Sequence, residues 1–264
     1  MKYELENDYV KLVVDSYAAE MHEFYLKKDG INILWNGDER YWKGRNPILF
    51  PQVGKTKDGT IRFRGKDYQM GNHGICRNRE FDLVDKSDST LHLNLKKDDD
   101  TYRIYPYDFS LDVEYQLLNS RLDIAYRITN NDEEMMPFGF GLHPAFKCPL
   151  SKDETFEDYR VIFSNNEVLA LKEEMFVNDA TIIYSHNKYD YCILTNGKQK
   201  IKINFIAFPY LAIWKKEKAP FICIEPWLSP SGCFENFKTN PKTDSIIRLS
   251  ANENMLISYS LEIL

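Results

Sequence analysis

Strict alternation of apolar and polar residues is the clearest pattern in the chain. It occurs at residues 91–95, 109–117 and 122–128, where every second position is Leu, Val, Ile, Phe or Tyr. A period of two is typical of β-strands that bury one face and solvate the other. Polar turns separate these runs, so they predict long antiparallel strands. His92 lies on the polar face of the first run, and we expect it to be exposed to solvent.

Shorter apolar runs separated by turn signals fill most of the remaining chain, and Asp-Gly and Asn-Gly pairs mark several of these turns. Residues 18–28 are compatible with an amphipathic helix, but the apolar run directly after Gly30 favours strands there. We find no long helical pattern, linker or internal repeat. The sequence therefore predicts a single all-β domain over residues 1–264.

One stretch, Met136–Phe146, combines this alternation with glycine. Its large apolar residues fall on one face of an extended chain, and its two glycines and His143 fall on the other. Glycine in a strand loses packing and backbone entropy, which a chain tolerates where something approaches the backbone closely. Pro144 has no N–H and ends the strand. We interpret the stretch as a strand that opens a ligand space and ends in His143. A buried structural histidine is the alternative.

A second glycine-bracketed stretch is Gln69–Arg77, in which Asn72 and His73 lie between two glycines. His73 can carry a proton near neutral pH, and Arg77 adds a fixed cation close by in the chain. The structural alternatives are a turn histidine that caps local backbone and an arginine in a surface ion pair with Glu80 or Asp82.

A third candidate group stands at the end of an apolar run. Phe221–Ile224 reads as a buried strand, and Glu225 follows it directly, before a proline. Burial of a carboxyl group raises its pKa toward the range that suits a general base. The alternative is a glutamate that simply reaches water at the end of its strand.

Composition excludes several classes of partner. Lysine plus arginine is 34 and aspartate plus glutamate is 40, so the formal charge is -6, and no basic block stands out. We therefore expect neither a nucleic-acid nor a membrane partner, and no uncharged run approaches the ~20 residues of a membrane span. Aromatic residues make up 14% of the chain, which suits strands and also a sugar-binding surface.

The cysteines point to a reducing compartment. There are five of them, an odd number, and none is in C-x-x-C spacing. We expect free thiols and a cytoplasmic protein, without a disulfide framework or a zinc site. The N-terminal residues are acidic where a signal peptide needs an apolar segment, which agrees with that location.

The stretches around His73, His143 and Glu225 resemble, in order and context, the aldose 1-epimerase (galactose mutarotase) family, and most closely its short branch of LacX-like proteins. Each motif alone is modest, but four in the right order are specific. The resemblance extends through nearly the whole chain. The matching segments are Pro47–Gly59, Asn72–Phe81, Phe138–Phe146 and Leu211–Trp227.

The resemblance implies a large antiparallel β-sandwich with a sugar bound in an open cleft on a concave sheet. It also implies a reaction, the interconversion of the α and β anomers of a free aldose, without a metal or organic cofactor. Glu225 would take the proton from the C1 hydroxyl as the base, and His143 would protonate the ring oxygen as the acid. His73 would form a hydrogen bond with the reacting centre and help to stabilise its charge.

The resemblance also implies substrate-binding residues. Lys55 stands where the family usually has an arginine that contacts the sugar, and lysine lacks the bidentate fork of arginine. Asp179 is the candidate for a sugar-binding aspartate of the longer branch, although an aspartate there is also a typical turn cap. Asn72 and Arg77 would contact the sugar, and Trp214 would be a stacking platform for one of its faces.

Two alternatives to a free-sugar mutarotase stay open at this point. A hexose-6-phosphate mutarotase would need a cluster of cations, which Lys55, Arg77 and Lys215 would supply. A sugar-binding or regulatory protein would use the same fold without turnover, since fold does not determine function. In either case the expected partner is a small sugar, and the expected assembly is a monomer or a homodimer.

Overall fold

A computed structural model describes residues 1–235, 237 and 243–264. Apart from one short α-helix, α1, and three 3-10 turns, its regular elements are β-strands, as the alternation predicted. Helix α1 is Asp99–Tyr102, and the 3-10 turns are Cys76–Asn78, Phe156–Asp158 and Glu173–Asp179, the last of which is kinked by non-helical backbone at Phe176, Val177 and Asn178. The strands are β1 (Lys2–Glu6), β2 (Val10–Asp15), β3 (Glu20–Leu26), β4 (Ile31–Asn32), β5 (Ile48–Leu49), β6 (Thr60–Phe63), β7 (Lys66–Gln69), β8 (Asp82–Lys86), β9 (Thr90–Lys96), β10 (Phe109–Leu118), β11 (Arg121–Asn130), β12 (Met136–Phe138), β13 (Gly141–Leu142), β14 (Ala145–Lys147), β15 (Arg160–Phe163), β16 (Val168–Ala170), β17 (Thr181–Ser185), β18 (Tyr191–Thr195), β19 (Lys200–Asn204), β20 (Tyr210–Trp214), β21 (Phe221–Trp227), β22 (Ile247–Leu249) and β23 (Asn254–Ile263).

The largest sheet has nine strands in the order β16-β15-β18-β19-β23-β11-β10-β9-β8, all paired antiparallel. The three predicted long strands are β9, β10 and β11, and their apolar faces are buried. His92 departs from its prediction, because its Nε2 lies 2.8 Å from Asp112 Oδ1 and its side chain is only 28% exposed. The carboxylate of Asp112, on the same face of the sheet, thus holds the His92 side chain against the protein surface.

The second layer is a six-stranded sheet in the order β17-β20-β21-β13-β5, with β14 paired to β21 from outside this path. Alternate residues of β20 and β21, such as Ile213 and Ile224, join one core with the inner residues of the nine-stranded sheet, such as Val113. The antiparallel β-sandwich is therefore confirmed. Every residue of β21 is buried, so the opposite face of this strand is covered as well.

Smaller units flank the sandwich. Strands β1–β4 form a four-stranded sheet, and β6–β7 and β12–β22 form two-stranded ones. Residues 18–28 contain β3, which confirms the preference for strands over a helix. All five cysteines are buried and free. In the described residues, no helix is long and apolar enough to cross a membrane.

The glycine-rich stretch differs from its prediction in two ways. It is not one strand but three short ones, of which β12 pairs with β22, and β13 and β14 pair with β21. The glycines also do not open a ligand space. A Cβ on Gly139 would lie 2.6 Å from Cys233 Sγ, and one on Gly141 would lie 2.7 Å from Trp227 Cδ1. Protein side chains fill the room that the glycines leave, so that part of the prediction is wrong.

We expect Gly141→Ala to lower the free energy of unfolding by about 1–3 kcal/mol, the usual cost of overpacking, because the new methyl group meets Trp227. Gly71→Ala is the matched control, since no atom lies within 4 Å of the position of its Cβ. Urea unfolding of both variants measures the difference. Equal stabilities would contradict the packing explanation.

Candidate active site

A cleft of about 610 Å³ lies on the six-stranded sheet, on the face turned away from the sandwich core. All the residues predicted to form a site line it, although they come from distant parts of the sequence. These are Lys55, Asn72, His73, Arg77, His143, Asp179, Trp214 and Glu225, and the remaining lining residues are Tyr41, Trp42, Gly54, Thr181, Lys216, Trp227 and Ser231.

Glu225 reaches the cleft because of the alternation along β21. Ile222 and Ile224 belong to the sandwich core, so the side chain of Glu225 takes the cleft face. The residue is 2% exposed. Burial raises the pKa of the Glu225 carboxyl well above its usual value, and the neighbouring Trp227 side chain opposes this only in part. Burial therefore favours the protonated form of Glu225, and the alternative of a glutamate that reaches water is wrong.

His143 directly follows β13 and lies beside Glu225, with 3.5 Å between its Nε2 and Glu225 Oε2. The ring of Trp42 stacks on the imidazole at a centroid distance of 4.8 Å and an interplanar angle of 25°. Burial lowers the pKa of His143 well below its usual value, and the nearby His73 lowers it further. Burial consequently favours the uncharged form of both members of the His143–Glu225 pair.

His73 is held by a reciprocal contact with Gly54. Its backbone N–H donates to Gly54 O at 2.7 Å, and its Nδ1 accepts the Gly54 N–H at 3.1 Å. Because Nδ1 is an acceptor, the ring proton of the neutral imidazole is on Nε2. Burial lowers the pKa of His73 to about 4, with a smaller contribution from Arg77. His73 thus caps local backbone and at the same time lines the cleft as a hydrogen-bond donor, with its ring 5.5 Å from that of His143.

Two tryptophans form the apolar part of the cleft. The indole N–H of Trp214 donates to Asp179 O at 3.1 Å, which fixes the predicted stacking platform. Trp42 meets Trp214 edge to face at 5.6 Å, and its carbonyl accepts the indole N–H of Trp35 at 2.8 Å. Sequence reasoning did not single out Trp42. The available signal was its position in the irregular segment Arg40–Gly54, which is dense in glycine, proline and aromatic residues.

Asp179 lines the cleft but is already engaged by protein groups. Its Oδ1 accepts the Glu217 N–H at 2.9 Å, and its Oδ2 accepts from Lys216 Nζ. The Glu217 N–H and then Lys216 hold the pKa of this carboxyl below its usual value. Asp179 therefore holds a distant segment of the chain through both carboxylate oxygens, which differs from the local turn cap that the sequence offered as an alternative.

The cations of the cleft differ from the predicted set. Lys215 is fully buried, with its Nζ 2.6 Å from Glu173 Oε1 and 3.6 Å from the centroid of the Phe156 ring, and it does not line the cleft. Lys215, which the sequence offered as a candidate member of a cation cluster, therefore adds no charge to the cleft, because its side chain and that of Lys216 point to opposite sides of the chain. Lys216 lines the cleft and is paired with Asp179.

Arg77 and Lys55 bring two cationic side chains to the cleft. Within the part of the chain that the structure describes, neither side chain makes an ion pair or a hydrogen bond, although the charge of Arg77 is close enough to Glu20 to favour the ionised form of that carboxyl. The alternative of a surface ion pair between Arg77 and Glu80 or Asp82 is not formed, and Glu80 instead contacts Ser16 and the N-terminal amine. Two cations without a directly paired carboxylate therefore face the cleft of an acidic protein.

The arrangement suits proton transfer. A buried carboxyl group and a buried imidazole lie side by side on the floor of the cleft, with a second imidazole N–H close by. The Cys223 thiol is a further donor atom, because the ligating atoms of His143, Cys223 and Glu225 all lie within 4.8 Å of one another.

The sequence matches the family model described as Aldose 1-epimerase over residues 1–206. Protein LacX, in its chromosomal and plasmid forms from Lactococcus lactis subsp. lactis, is 27% identical over 302 aligned positions that cover both chains completely. A galactose mutarotase related enzyme from Lactobacillus acidophilus superposes with a TM-score of 0.92 at 23% identity, over 100% of this chain and 97% of that one. A galactose mutarotase-like protein from Lactobacillus casei ATCC 334 has a TM-score of 0.89 at 27% identity, with both chains fully covered.

We expect His73 to titrate near pH 4 rather than near 6.5, with its neutral-state proton on Nε2. In the unfolded chain the same imidazole has its ordinary pKa of 6.5, so it binds a proton at a higher pH than in the folded protein. The stability contributed by neutral His73 is therefore present above pH 6.5 and is lost as the pH falls toward 4. Nitrogen NMR of the imidazole rings measures both the tautomer and the midpoint.

The matched variant is His73→Asn, because asparagine tolerates the positive φ of 66° at this position. In this variant the unfolding free energy should vary less between pH 4 and 6.5 than in the wild type. A wild-type midpoint near 6.5, or a proton on Nδ1, would contradict the assignment.

Proposed function

The chain belongs to the aldose 1-epimerase family, and we propose that it is a mutarotase that interconverts the α and β anomers of a free hexose. The observation that carries the proposal is the buried His143–Glu225 pair on the floor of the cleft, with 3.5 Å between Nε2 and Oε2. No organic cofactor enters the mechanism.

Mutarotation needs two proton transfers at one carbon. The ring opens when a base removes the proton of the C1 hydroxyl and an acid protonates the ring oxygen. Rotation about C1–C2 and closure on the other face give the second anomer. Both oxygens are bonded to C1, so the acid and the base must lie close together. The separation of His143 from Glu225 fits that requirement.

The surroundings of the pair favour the proton arrangement that the reaction needs. Burial raises the pKa of the Glu225 carboxyl and lowers that of the His143 imidazole, which favours the proton on Glu225. Transfer of one proton from Oε2 to Nε2 creates a carboxylate base and an imidazolium acid without a proton from solvent. The face of Trp42, stacked on the imidazole, stabilises the cation that forms.

His73 and the tryptophans would orient the sugar. Because Gly54 occupies Nδ1 of His73, its Nε2–H is a donor for an oxygen at the reacting centre. Donors that are fixed before the reaction stabilise developing charge at little reorganisation cost. The ring of Trp214 is suited to stack on the C–H face of a pyranose.

A second candidate substrate is a hexose 6-phosphate. It is favoured by Lys55 and Arg77, which carry unpaired charges into the cleft, whereas the charge of Asp179 is balanced by Lys216. A phosphate group would compensate the two cations. The third candidate, a sugar-binding protein without turnover, is disfavoured by the acid–base pair that lines the same cleft.

We expect the protein to accelerate the decay of optical rotation of freshly dissolved α-D-glucose or α-D-galactose. His143→Ala and Glu225→Gln should each lower kcat/KM by ~10²–10⁴-fold, the usual contribution of a positioned acid or base. His186→Asn is the matched control, because His186 is exposed, does not line the cleft and has a φ of 57° that asparagine tolerates. A wild-type protein that binds these sugars without accelerating the decay would favour the binding-protein alternative.

A comparison of each free hexose with its 6-phosphate tests the charge of the substrate. We expect the free sugars to react faster, and Lys55→Gln and Arg77→Gln to change their kcat/KM by less than about tenfold, since a hydrogen bond to a neutral group is worth ~1 kcal/mol. Lys57→Gln is the control, because Lys57 is exposed outside the cleft lining. Faster reaction of the 6-phosphates, lost selectively in the two cleft variants, would assign the substrate to the second candidate.

A further inference from the structure

The proposed reaction does not use the Cys223 thiol, although this group lies beside the acid–base pair. Cys223 is two residues before Glu225 on the same face of β21 and is opposite Ala145 in the register with β14. His143 precedes Ala145 by two residues. The side chains of His143, Cys223 and Glu225 therefore converge from two chain segments that are far apart in sequence. Cysteine spacing does not reveal this set, because each segment supplies different donor types.

The three donors have the separation of a nearly formed metal site. Their ligating atoms all lie within 4.8 Å of one another. Donor atoms around a tetrahedral zinc ion, at about 2.0–2.3 Å from the metal, are roughly 3.3–3.8 Å apart. Side-chain adjustments of about an ångström or less would close the site. His143 Nδ1 is also buried without a hydrogen-bond partner in the described structure, so neither ring nitrogen is committed to a strong hydrogen bond.

We propose that His143, Cys223 and Glu225 bind a thiophilic divalent cation of the zinc type, and that this ion switches the acid–base pair off. A nitrogen, a sulfur and an oxygen donor form a set that zinc accepts and magnesium does not. The fourth position would face the cleft. The inhibitory consequence rests on the proposed function, whereas the binding itself does not.

Charge balance favours this class of ion. All three side chains are at least nine-tenths buried, and an uncompensated charge among them would be costly. A divalent cation with one thiolate and one carboxylate is a neutral complex. Binding displaces the thiol proton of Cys223 and the carboxyl proton of Glu225 to solvent, so about two protons leave with each ion. The affinity for the metal should therefore increase with pH.

Inhibition follows from the donor atoms that the ion would occupy. The metal would take the lone pair of His143 Nε2 and an oxygen of Glu225, the two atoms that move protons in the proposed reaction. The bound ion would thereby remove the acid and the base from the reaction. Increasing the sugar concentration would not restore them.

Cobalt(II) is the first probe, because a cobalt–thiolate bond gives a charge-transfer band in the near ultraviolet. We expect one equivalent of Co²⁺ to produce this band with the wild type and with Cys192→Ser, and zinc to displace it. Cys192 is the matched control, since it is equally buried but lies in β18 within the sandwich core. Cys223→Ser and Cys223→Ala should give no band. Its absence in the wild type, or its survival in both Cys223 variants, would overturn the proposal.

Zinc inhibition of anomer exchange is the second readout, expressed for each variant as the ratio of rates with and without the ion. Loss of one ligand should weaken zinc inhibition by at least about tenfold, since even indirect supporting groups are worth ~10–100-fold in affinity. Mg²⁺ should not inhibit. Equal zinc inhibition in the wild type and in Cys223→Ser would overturn the proposal.

Two further measurements on the wild type keep the test independent of any variant and of turnover. Calorimetry in buffers of different ionisation enthalpy should report about two protons released per zinc ion. Release of no protons would contradict the thiolate–carboxylate site. A cobalt–thiolate band in a protein that fails to accelerate mutarotation would support the metal site and reject only the proposed function.

Discussion

Desolvation of one carboxyl group is the constraint on which the cleft depends. Glu225 lies on a strand whose residues are all buried, at the centre of the six-stranded sheet. A lone carboxylate there would be strongly destabilising, so burial favours the protonated form of the group. The buried imidazole of His143 lies beside it, and the indoles of Trp42 and Trp227 line the same cleft. The burial that disfavours a charge therefore also favours the carboxyl proton that the proposed reaction would move.

The wall of the cleft is tied down by two consecutive lysines. Lys215 is buried against Glu173, at the start of a 3-10 segment, and Lys216 binds Asp179, at the end of that segment. One lysine thus anchors the segment from below the surface and the other from inside the cleft. The carbonyl of Asp179 in turn holds the indole of Trp214. The aromatic platform is therefore positioned by a chain of contacts that begins in the interior.

The sequence predicts the strands and the site residues better than it predicts their surroundings. A period of two identifies β10 and β11 because each has one wet face, and the apolar run before Glu225 identifies a buried strand. The same period does not predict which group packs against the glycine face of a strand. In the structure, Trp227 and not a ligand occupies the space beside Gly141. Nor does the period determine whether the side chain of Lys215, the residue after β20, points into the interior or into the cleft. Those outcomes depend on packing between distant segments, as does the stacking of Trp42 on His143.

The floor of the cleft and its rim are made of different kinds of backbone. Glu225 lies on a paired strand and His143 directly follows one, whereas Trp42, Lys55 and Asn72 lie outside the strands. Paired strands resist insertions and deletions, and irregular segments accept them. The rim can therefore change in length and sequence without moving the proposed acid–base pair on the floor. Within this architecture, the groups proposed to select a substrate and the groups proposed to carry out the reaction can be altered separately.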